Sequence, residues 1–493
     1  MKRLFFYLFV WASVTLSAQI TPKREFRGAW IHVIHQRQYP AMSVPEMKQY
    51  FIAMADSLQA YHINAMVFQV RPAADAFYSS NIEPWSRYLT GKQGQAPADA
   101  FDPMAFMIEL AHDRGMEFHA WLNPYRVTST DTDVLHPSHI YHKYPERFLR
   151  YGKQIYFDPG IPENRAFICS VVTDIVNRYD VDAIHMDDYF YPYPIAGEAF
   201  PDDSSFRLYA GNFSPEQRGD WRRNNVNNLI RDIKQTLLQT KPWVRFGVSP
   251  FGIYRNRQNT PDGSGSDTNG LQNYDDLYAD VKTWVEKGWV DYNIPQLYWE
   301  IGHPRADYET LNRWWAQNNY GNHLYIGQSV SNTMKNDQLA PKMEQIRTTP
   351  GIYGNCFWPA YDLLRNTGGI ADSLKTRYQP YPALIPAYLH MHAKRPQDVK
   401  SLKVERTPQT YCLHWKRNGD PRNPEKAQYY VIYRFGDKEK VNTDDPSKIV
   451  AITRNTSYLL PYRQGNETCK YVVTSVDRFH NESKKGKAKR VKW

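Results

Sequence analysis

The chain has 493 residues, 42% of them hydrophobic and 23% charged, which excludes a disordered or fibrous protein and leaves room for more than one globular domain. Its formal net charge is +10, but no nucleic-acid motif accompanies it, so nucleic acid is not an expected partner. Four cysteines without a Cys-x-x-Cys or His/Cys cluster exclude a structural zinc module.

The N-terminus reads as a signal peptide over residues 1–19. Lys2 and Arg3 form a positive start, Leu4 to Leu16 an apolar stretch too short for a membrane span, and Ser17-Ala18-Gln19 a cleavage context. An exported protein, periplasmic or extracellular, is therefore expected. After it, short apolar runs alternate with helical patterns. The strand candidates are 27–33, 64–71, 116–123, 182–188, 245–250, 292–299, 324–330 and 352–358. Helical patterns intervene at 44–61, 104–114, 164–179, 224–240, 274–287 and 308–318. Eight such units predict an α/β fold, a (β/α)₈ TIM barrel over residues 24–377. No Gly-rich phosphate loop follows the first strand, which argues against a doubly wound open sheet.

Residues 378–399 are Pro-rich and read as a linker. Residues 400–493 alternate at period two in short runs (401–405, 411–416, 429–434, 449–452, 457–461, 470–477), predicting a small all-β sandwich similar to fibronectin type III domains. Cys412 and Cys469 both fall in this part. Their side-chain parity relative to neighbouring core positions differs, which argues against a bridge. Lys484, Lys485, Lys487, Lys489, Arg490 and Lys492 crowd the C-terminus. They read as a solvated strand and tail, or as a surface drawn to an anionic envelope or glycan.

Polar residues recur at the C-terminal ends of the predicted barrel strands, the face on which barrel enzymes build their sites. They are Gln69 and Arg71; Asn123, Tyr125 and Arg126; Asp187 and Asp188; Ser249; Gln296, Tyr298, Trp299 and Glu300; and Trp358 with Tyr361. Glycoside hydrolysis needs two carboxyl groups about one bond. In Ala183-Ile184-His185-Met186-Asp187-Asp188-Tyr189, alternation turns Ile184 and Met186 to the helices and His185 and Asp187 into the barrel. Asp187 is then the candidate nucleophile, general base or transition-state stabiliser, and Asp188 an orienting neighbour. Glu300 shares parity with Gln296 and Tyr298 and is the candidate general acid.

Gln69, Arg71, Asn123, Tyr125, Arg126, Ser249, Gln296 and Tyr298 suit hydrogen bonding to a sugar. Tyr189, Trp299 and Trp358 suit stacking on its faces. The loop over 189–220, with Tyr189-Phe190-Tyr191-Pro192-Tyr193-Pro194, reads as a cleft wall or lid. Arg222 and Arg223 are helix-surface cations or partners for a substrate carboxylate. His32, His119 and His185 sit at strand positions, but no His-x-His pair ends the first strand, so neither a metal nor a cofactor is expected.

The ordered runs Phe26-Arg27-Gly28-Ala29-Trp30, Phe68-Gln69-Val70-Arg71-Pro72, Ala120-Trp121-Leu122-Asn123-Pro124-Tyr125-Arg126, Tyr156-Phe157-Asp158-Pro159-Gly160, Met186-Asp187-Asp188-Tyr189-Phe190-Tyr191-Pro192, Val248-Ser249-Pro250-Phe251-Gly252 and Pro295-Gln296-Leu297-Tyr298-Trp299 resemble the glycosyl-hydrolase-like 10 family of exported bacterial proteins. The resemblance implies a barrel glycosidase acting on peptidoglycan glycan strands, with an added C-terminal β-domain. A glycosidase for another polysaccharide and a glycan-binding protein without catalysis are the rival readings.

Overall fold

The computed structural model describes residues 21–417, 419–462 and 467–493. The signal-peptide reading of residues 1–19 lies outside the described residues. The strands, in chain order, are β1 (Phe26–Ile31), β2 (Ala65–Arg71), β3 (Glu117–Leu122), β4 (Phe148–Tyr151), β5 (Gln154–Phe157), β6 (Ala183–Met186), β7 (Arg245–Val248), β8 (Tyr292–Asn293), β9 (His323–Ser329) and β10 (Ile352–Trp358). Beyond them lie β11 (Lys403–Arg406), β12 (Tyr411–His414), β13 (Tyr429–Gly436), β14 (Ile449–Thr453), β15 (Ser457–Leu459), β16 (Thr468–Val476) and β17 (Lys489–Lys492).

Eight of these close a parallel barrel in the order β1-β10-β9-β8-β7-β6-β3-β2. All eight predicted barrel strands form. The sixth is much shorter than predicted, because regular pairing stops at Asn293 and resumes only at single bridges from Gln296 to Phe251 and Gly327. Two apolar layers follow from strand alternation. Ile31, Phe68, Phe118, Ile184, Met186 and Val248 face the helices, while Phe26, Trp30, Val67, Trp121, Tyr292 and Tyr325 fill the barrel interior. Gly247 is required by that interior, since a Cβ there would lie 1.9 Å from the Tyr292 ring.

The Pro-rich 378–399 segment is more than a connector. Leu384 is hydrogen-bonded on both sides to the stretch before β1, through Lys23 and Glu25 (2.9 Å each). Ile385 and Tyr388 pack into the barrel's inner core from its N-terminal end.

The C-terminal domain holds two antiparallel sheets, β11-β12-β15 and β14-β13-β16-β17. Leu413, Trp415, Tyr430, Ile432, Tyr471 and Val473 form one buried core there. The opposite face of β13 and β16, with Tyr429, Val431, Tyr433 and Val476, packs with Leu384. Cys412 and Cys469 are free thiols, as are Cys169 and Cys356.

Candidate active site

A cavity of about 750 Å³ opens at the C-terminal ends of the barrel strands. Of the site residues named from the sequence, Gln69, Arg126, Asp187, Asp188, Tyr189, Ser249, Gln296, Tyr298 and Trp358 line it. Asp187 and Asp188 are the only carboxyl side chains among its lining residues.

The aspartates occupy the point where β6 ends. Alternation holds through Met186, so Asp187 enters the barrel mouth beside the inward-facing His185. Trp121 Nε1 donates to Asp187 Oδ2 (3.0 Å), and Asn123 Nδ2 donates to Oδ1 (3.1 Å). Asp188 leans the other way. It accepts from Gln296 Nε2 (3.0 Å) and from the Tyr193 hydroxyl. Burial pushes the Asp187 carboxyl up to about 6; Arg126 opposes this, and the charge of Asp188 adds to it. Burial also raises Asp188, against the donors Tyr193 and Gln296. The site thus holds two buried carboxyls of raised proton affinity side by side, a pattern suited to acid–base chemistry near neutral pH.

Aromatic surfaces surround the pair. Trp121 and Trp358 meet edge to face (6.0 Å), and His32 lies against Trp358 (4.6 Å). Tyr189 and Tyr193 stack on each other (5.3 Å), with the Arg126 guanidinium 4.6 Å from the Tyr189 ring centre. The 189–220 loop therefore builds one wall, through Tyr189, Pro192, Tyr193 and Ile195. The β4–β5 hairpin packs against this loop, the Tyr151 hydroxyl accepting from Ile195 N (2.6 Å), and its Tyr151, Lys153, Gln154 and Tyr156 also line the cavity. Gly152, at φ +56°, makes the tight turn between those strands.

Five predicted site residues do not reach the cavity. Arg71 is fully buried and grips Glu83 with two nitrogens (2.7–3.0 Å), then the Asn123 and Pro124 carbonyls. It shapes the turn after β3 rather than touching a ligand. Asn123 also acts from behind, holding Asp187 while its Oδ1 accepts from the Arg126 backbone (2.8 Å). Tyr125 points into the helix-facing core.

Trp299 packs edge-on to Phe251 (5.5 Å) and closes against Gly252. Glu300 is displaced for the same reason. Beyond Tyr298 the chain turns away, and the Glu300 carbonyl accepts from His303 and Tyr308 (3.3 Å each). Parity counted along an ideal strand fails where pairing has already stopped, so the general-acid assignment to Glu300 is withdrawn.

Arg222 and Arg223 are also committed elsewhere. Arg222 forms a two-pronged pair with Asp202 (2.7 Å each), and Arg223 binds Asp220 and the Tyr274 carbonyl. Sequence reasoning missed Trp121, Tyr193 and the hairpin residues. Trp121 shares parity with His119 on β3. The hairpin had a local signal, two short aromatic-rich runs about Gly152-Lys153.

Among the described residues, no group of three or more His, Cys, Asp or Glu side chains is arranged to hold a metal ion. His32 meets Gln36 (2.6 Å), and His119 and His185 lie in a buried hydrogen-bonded chain.

A family model for glycosyl hydrolase-like 10 matches residues 25–342. Glycosyl hydrolase YngK of Bacillus subtilis (strain 168) is 40% identical over 494 residues, covering 96% of this chain and 95% of its own. Glycosyl hydrolase DigH of Escherichia coli (strain K12) is 39% identical over 310 residues, 59% of this chain and 69% of its own. The solved glycoside hydrolase domain of PgaB (BpsB) from Bordetella bronchiseptica aligns with 72% of this chain and 99% of its own, at 11% identity and a TM-score of 0.49. The family model over most of the barrel and a relative similar along nearly the whole chain establish that this protein belongs to the glycosyl hydrolase-like 10 family and is a glycoside hydrolase.

Proposed function

We propose that this glycoside hydrolase cleaves the glycan strands of bacterial peptidoglycan, with Asp187 and Asp188 as its two working carboxyls. The observation that carries the catalytic assignment is that these two alone, among the residues lining the cavity, bear carboxyl side chains. Asp187, which keeps its proton up to about pH 6, donates it to the glycosidic oxygen as the bond to the anomeric carbon breaks. Asp188 offsets the positive charge that develops on the sugar. Water then supplies the hydroxyl to the anomeric carbon and returns a proton to the carboxyl pair.

The substrate reading draws on two cations. Arg126 and Lys153 line the cavity, and among the described residues neither side chain has an ion pair or hydrogen bond to a carboxylate. They suit a sugar that carries an acid, as a lactyl-substituted amino sugar does once its peptide is gone. Residues 1–19 support export to the compartment where this polymer lies. The exposed lysines and Arg490 on and before β17 support attraction to an anionic envelope. The three-plus-four strand arrangement supports a fibronectin type III-like reading of the C-terminal domain.

The test is product analysis by mass spectrometry on peptide-free glycan strands with wild type, Asp187→Asn, Asp188→Asn and Glu300→Gln. Loss of about a hundredfold or more is expected for each aspartate variant, and less than about twofold for Glu300→Gln. Binding or no binding without product release by the wild type would remove the peptidoglycan reading and point to another polysaccharide as the substrate.

A further inference from the structure

The two carboxyls of the site rise from one point of the barrel rim. Asp187 and Asp188 are consecutive residues at the end of β6, about 3.8 Å apart at Cα. In the barrel order β6 stands four strands from β10 either way round, so β10 faces it across the mouth. β10 contributes Trp358 to the cavity, with His32 from the end of the adjoining β1 beside it. No carboxyl comes from that side.

Hydrolysis at an anomeric carbon needs a nucleophile on the face opposite the departing oxygen. Asp187, the acid, attends the departing oxygen, and Asp188 rises from the same place on the rim. No other lining residue offers a third carboxyl to attack the carbon or to activate water on the far face.

The surroundings of Asp188 fit a group that an amino sugar carries itself. The Tyr298 hydroxyl lines the cavity, and among the described residues it has no hydrogen-bond partner. Burial, and next the charge of Asp188, raise its proton affinity well above the ordinary phenol range, so it is a donor. Its ring packs on the inner core beside the buried indoles of Trp30 and Trp121, with Trp358 at the edge. The Asp188 oxygens accept from Gln296 and from Tyr193, one bond each, and each keeps a second lone pair. The floor thus offers an apolar surface, one free donor and a carboxylate acceptor. An acetamido group is the complement, with its methyl, its carbonyl oxygen and its N–H.

We propose that the nucleophile belongs to the substrate: the carbonyl oxygen of the 2-acetamido group beside the bond that breaks, held in place by Tyr298 and Asp188. This assignment rests on Asp187 and Asp188 being the working carboxyls of an amino-sugar glycosidase, and adds the identity of the attacking atom. Asp188 accepts from the acetamido N–H. Tyr298 donates to one lone pair of the carbonyl oxygen and fixes its rotation, leaving the other aimed at the anomeric carbon. That oxygen bonds to the anomeric carbon as the glycosidic bond breaks and Asp187 passes its proton to the departing oxygen. The amide becomes an oxazolinium ring, whose positive charge the Asp188 carboxylate offsets. Water then adds to the anomeric carbon and leaves a proton on Asp187, while the ring C–O bond opens and its electron pair restores the carbonyl. Two inversions give a product of retained configuration, and the sugar is never bonded to the protein.

The first test needs no turnover. The thiazoline of N-acetylglucosamine is a stable copy of the cyclic intermediate, and the thiazoline of N-acetylmuramic acid adds the lactyl group. In titration calorimetry with the full chain, one of the two is expected to bind at least about a hundredfold tighter than its parent sugar. Tyr298→Phe is expected to weaken that binding about tenfold. Thiazolines that bind no better than the parent sugars overturn the proposal.

The second test reads the product anomer by proton NMR in the first minutes of cleavage of peptide-free glycan strands. Retention is expected. Inversion, or a sugar ester on Asp188 in the mass spectrum of acid-quenched enzyme, overturns the proposal and leaves the peptidoglycan reading standing. Tyr298→Phe is expected to lower kcat about tenfold or more with KM within about threefold, and an unchanged kcat in the folded variant overturns the role of Tyr298. A wild type that binds a thiazoline tightly but leaves the strands uncut removes the peptidoglycan reading and keeps the attacking group as assigned.

Discussion

His480 of the C-terminal domain donates from Nε2 to Glu117 Oε1 at 2.6 Å, joining that domain to the base of barrel strand β3. Burial works against the charge on Glu117, but Arg245 and His480 hold its carboxyl well below the usual range. Arg478 reaches Asp180 close by (2.8 Å), and Tyr388 lies over the Arg245 guanidinium (4.8 Å). The junction is a buried, charged contact and not a tether.

It follows that the two domains melt together. His480→Ala removes a donor from a buried carboxylate and is expected to cost about 1–3 kcal/mol. Deleting residues 400–493 strips cover from Glu117 and from the apolar segment about Leu384, and is expected to give aggregated protein. Differential scanning calorimetry tests this. Two separate transitions in the full chain, with His480→Ala indistinguishable from wild type, would contradict it.

The raised proton affinity of Asp187 gives a pH signature in both rate and stability. An acid that must be protonated loses activity as pH rises through about 6, so kcat/KM should fall along a basic limb near there. Stability has the same sign. Between about 4 and 6 the folded state binds the proton more tightly than the unfolded chain, so this group's contribution falls as pH rises across that window. Asp187→Asn should therefore raise stability at pH 7 by about 1–3 kcal/mol while abolishing turnover. Urea denaturation at pH 5 and pH 7 checks the difference. A variant less stable than wild type at pH 7 would refute it.

The elements and much of the active cavity were legible in the sequence, because strand alternation is a local property. The parity of Ile184, His185, Met186 and Asp187 carried straight into the fold. What failed depended on where a local pattern stops or on distant partners. Glu300 was assigned by extending alternation past Asn293, where the ladder ends. Arg71 looked like a ligand-binding cation because nothing in its neighbourhood revealed that Glu83 would bury beside it. Tyr193 was read only as part of an aromatic loop, since its bond to Asp188 requires that loop to fold back over β6.

Substrate charge can be tested at the hairpin wall. Arg126→Gln and Lys153→Gln should each raise KM about three- to thirtyfold on glycan strands bearing free lactyl carboxylates. Neither should change binding of uncharged N-acetylglucosamine oligomers more than about twofold. Arg126 also opposes the raised proton affinity of Asp187, so its variant should shift the basic limb to higher pH, and the Lys153 variant should not. Equal losses on charged and neutral glycans would remove the case for an acidic substrate.

Tyr193→Phe deletes one of the two side-chain donors that steady Asp188 as a carboxylate. The acid limb of the pH–rate profile should move to higher pH, with kcat at its optimum reduced about five- to fiftyfold. The stack on Tyr189 survives in the variant, so a change confined to KM would show that Tyr193 serves as a surface alone.

The Tyr193 hydroxyl ties chemistry to shape. Its ring is part of the cavity wall, and its hydroxyl steadies the Asp188 carboxylate. Any movement that widens the entrance by lifting this loop also withdraws a donor from the carboxylate beneath. Access and reactivity are thus set by one side chain, and a redesign that lengthens the loop to admit a bulkier polymer would retune the acidity of the centre at the same stroke.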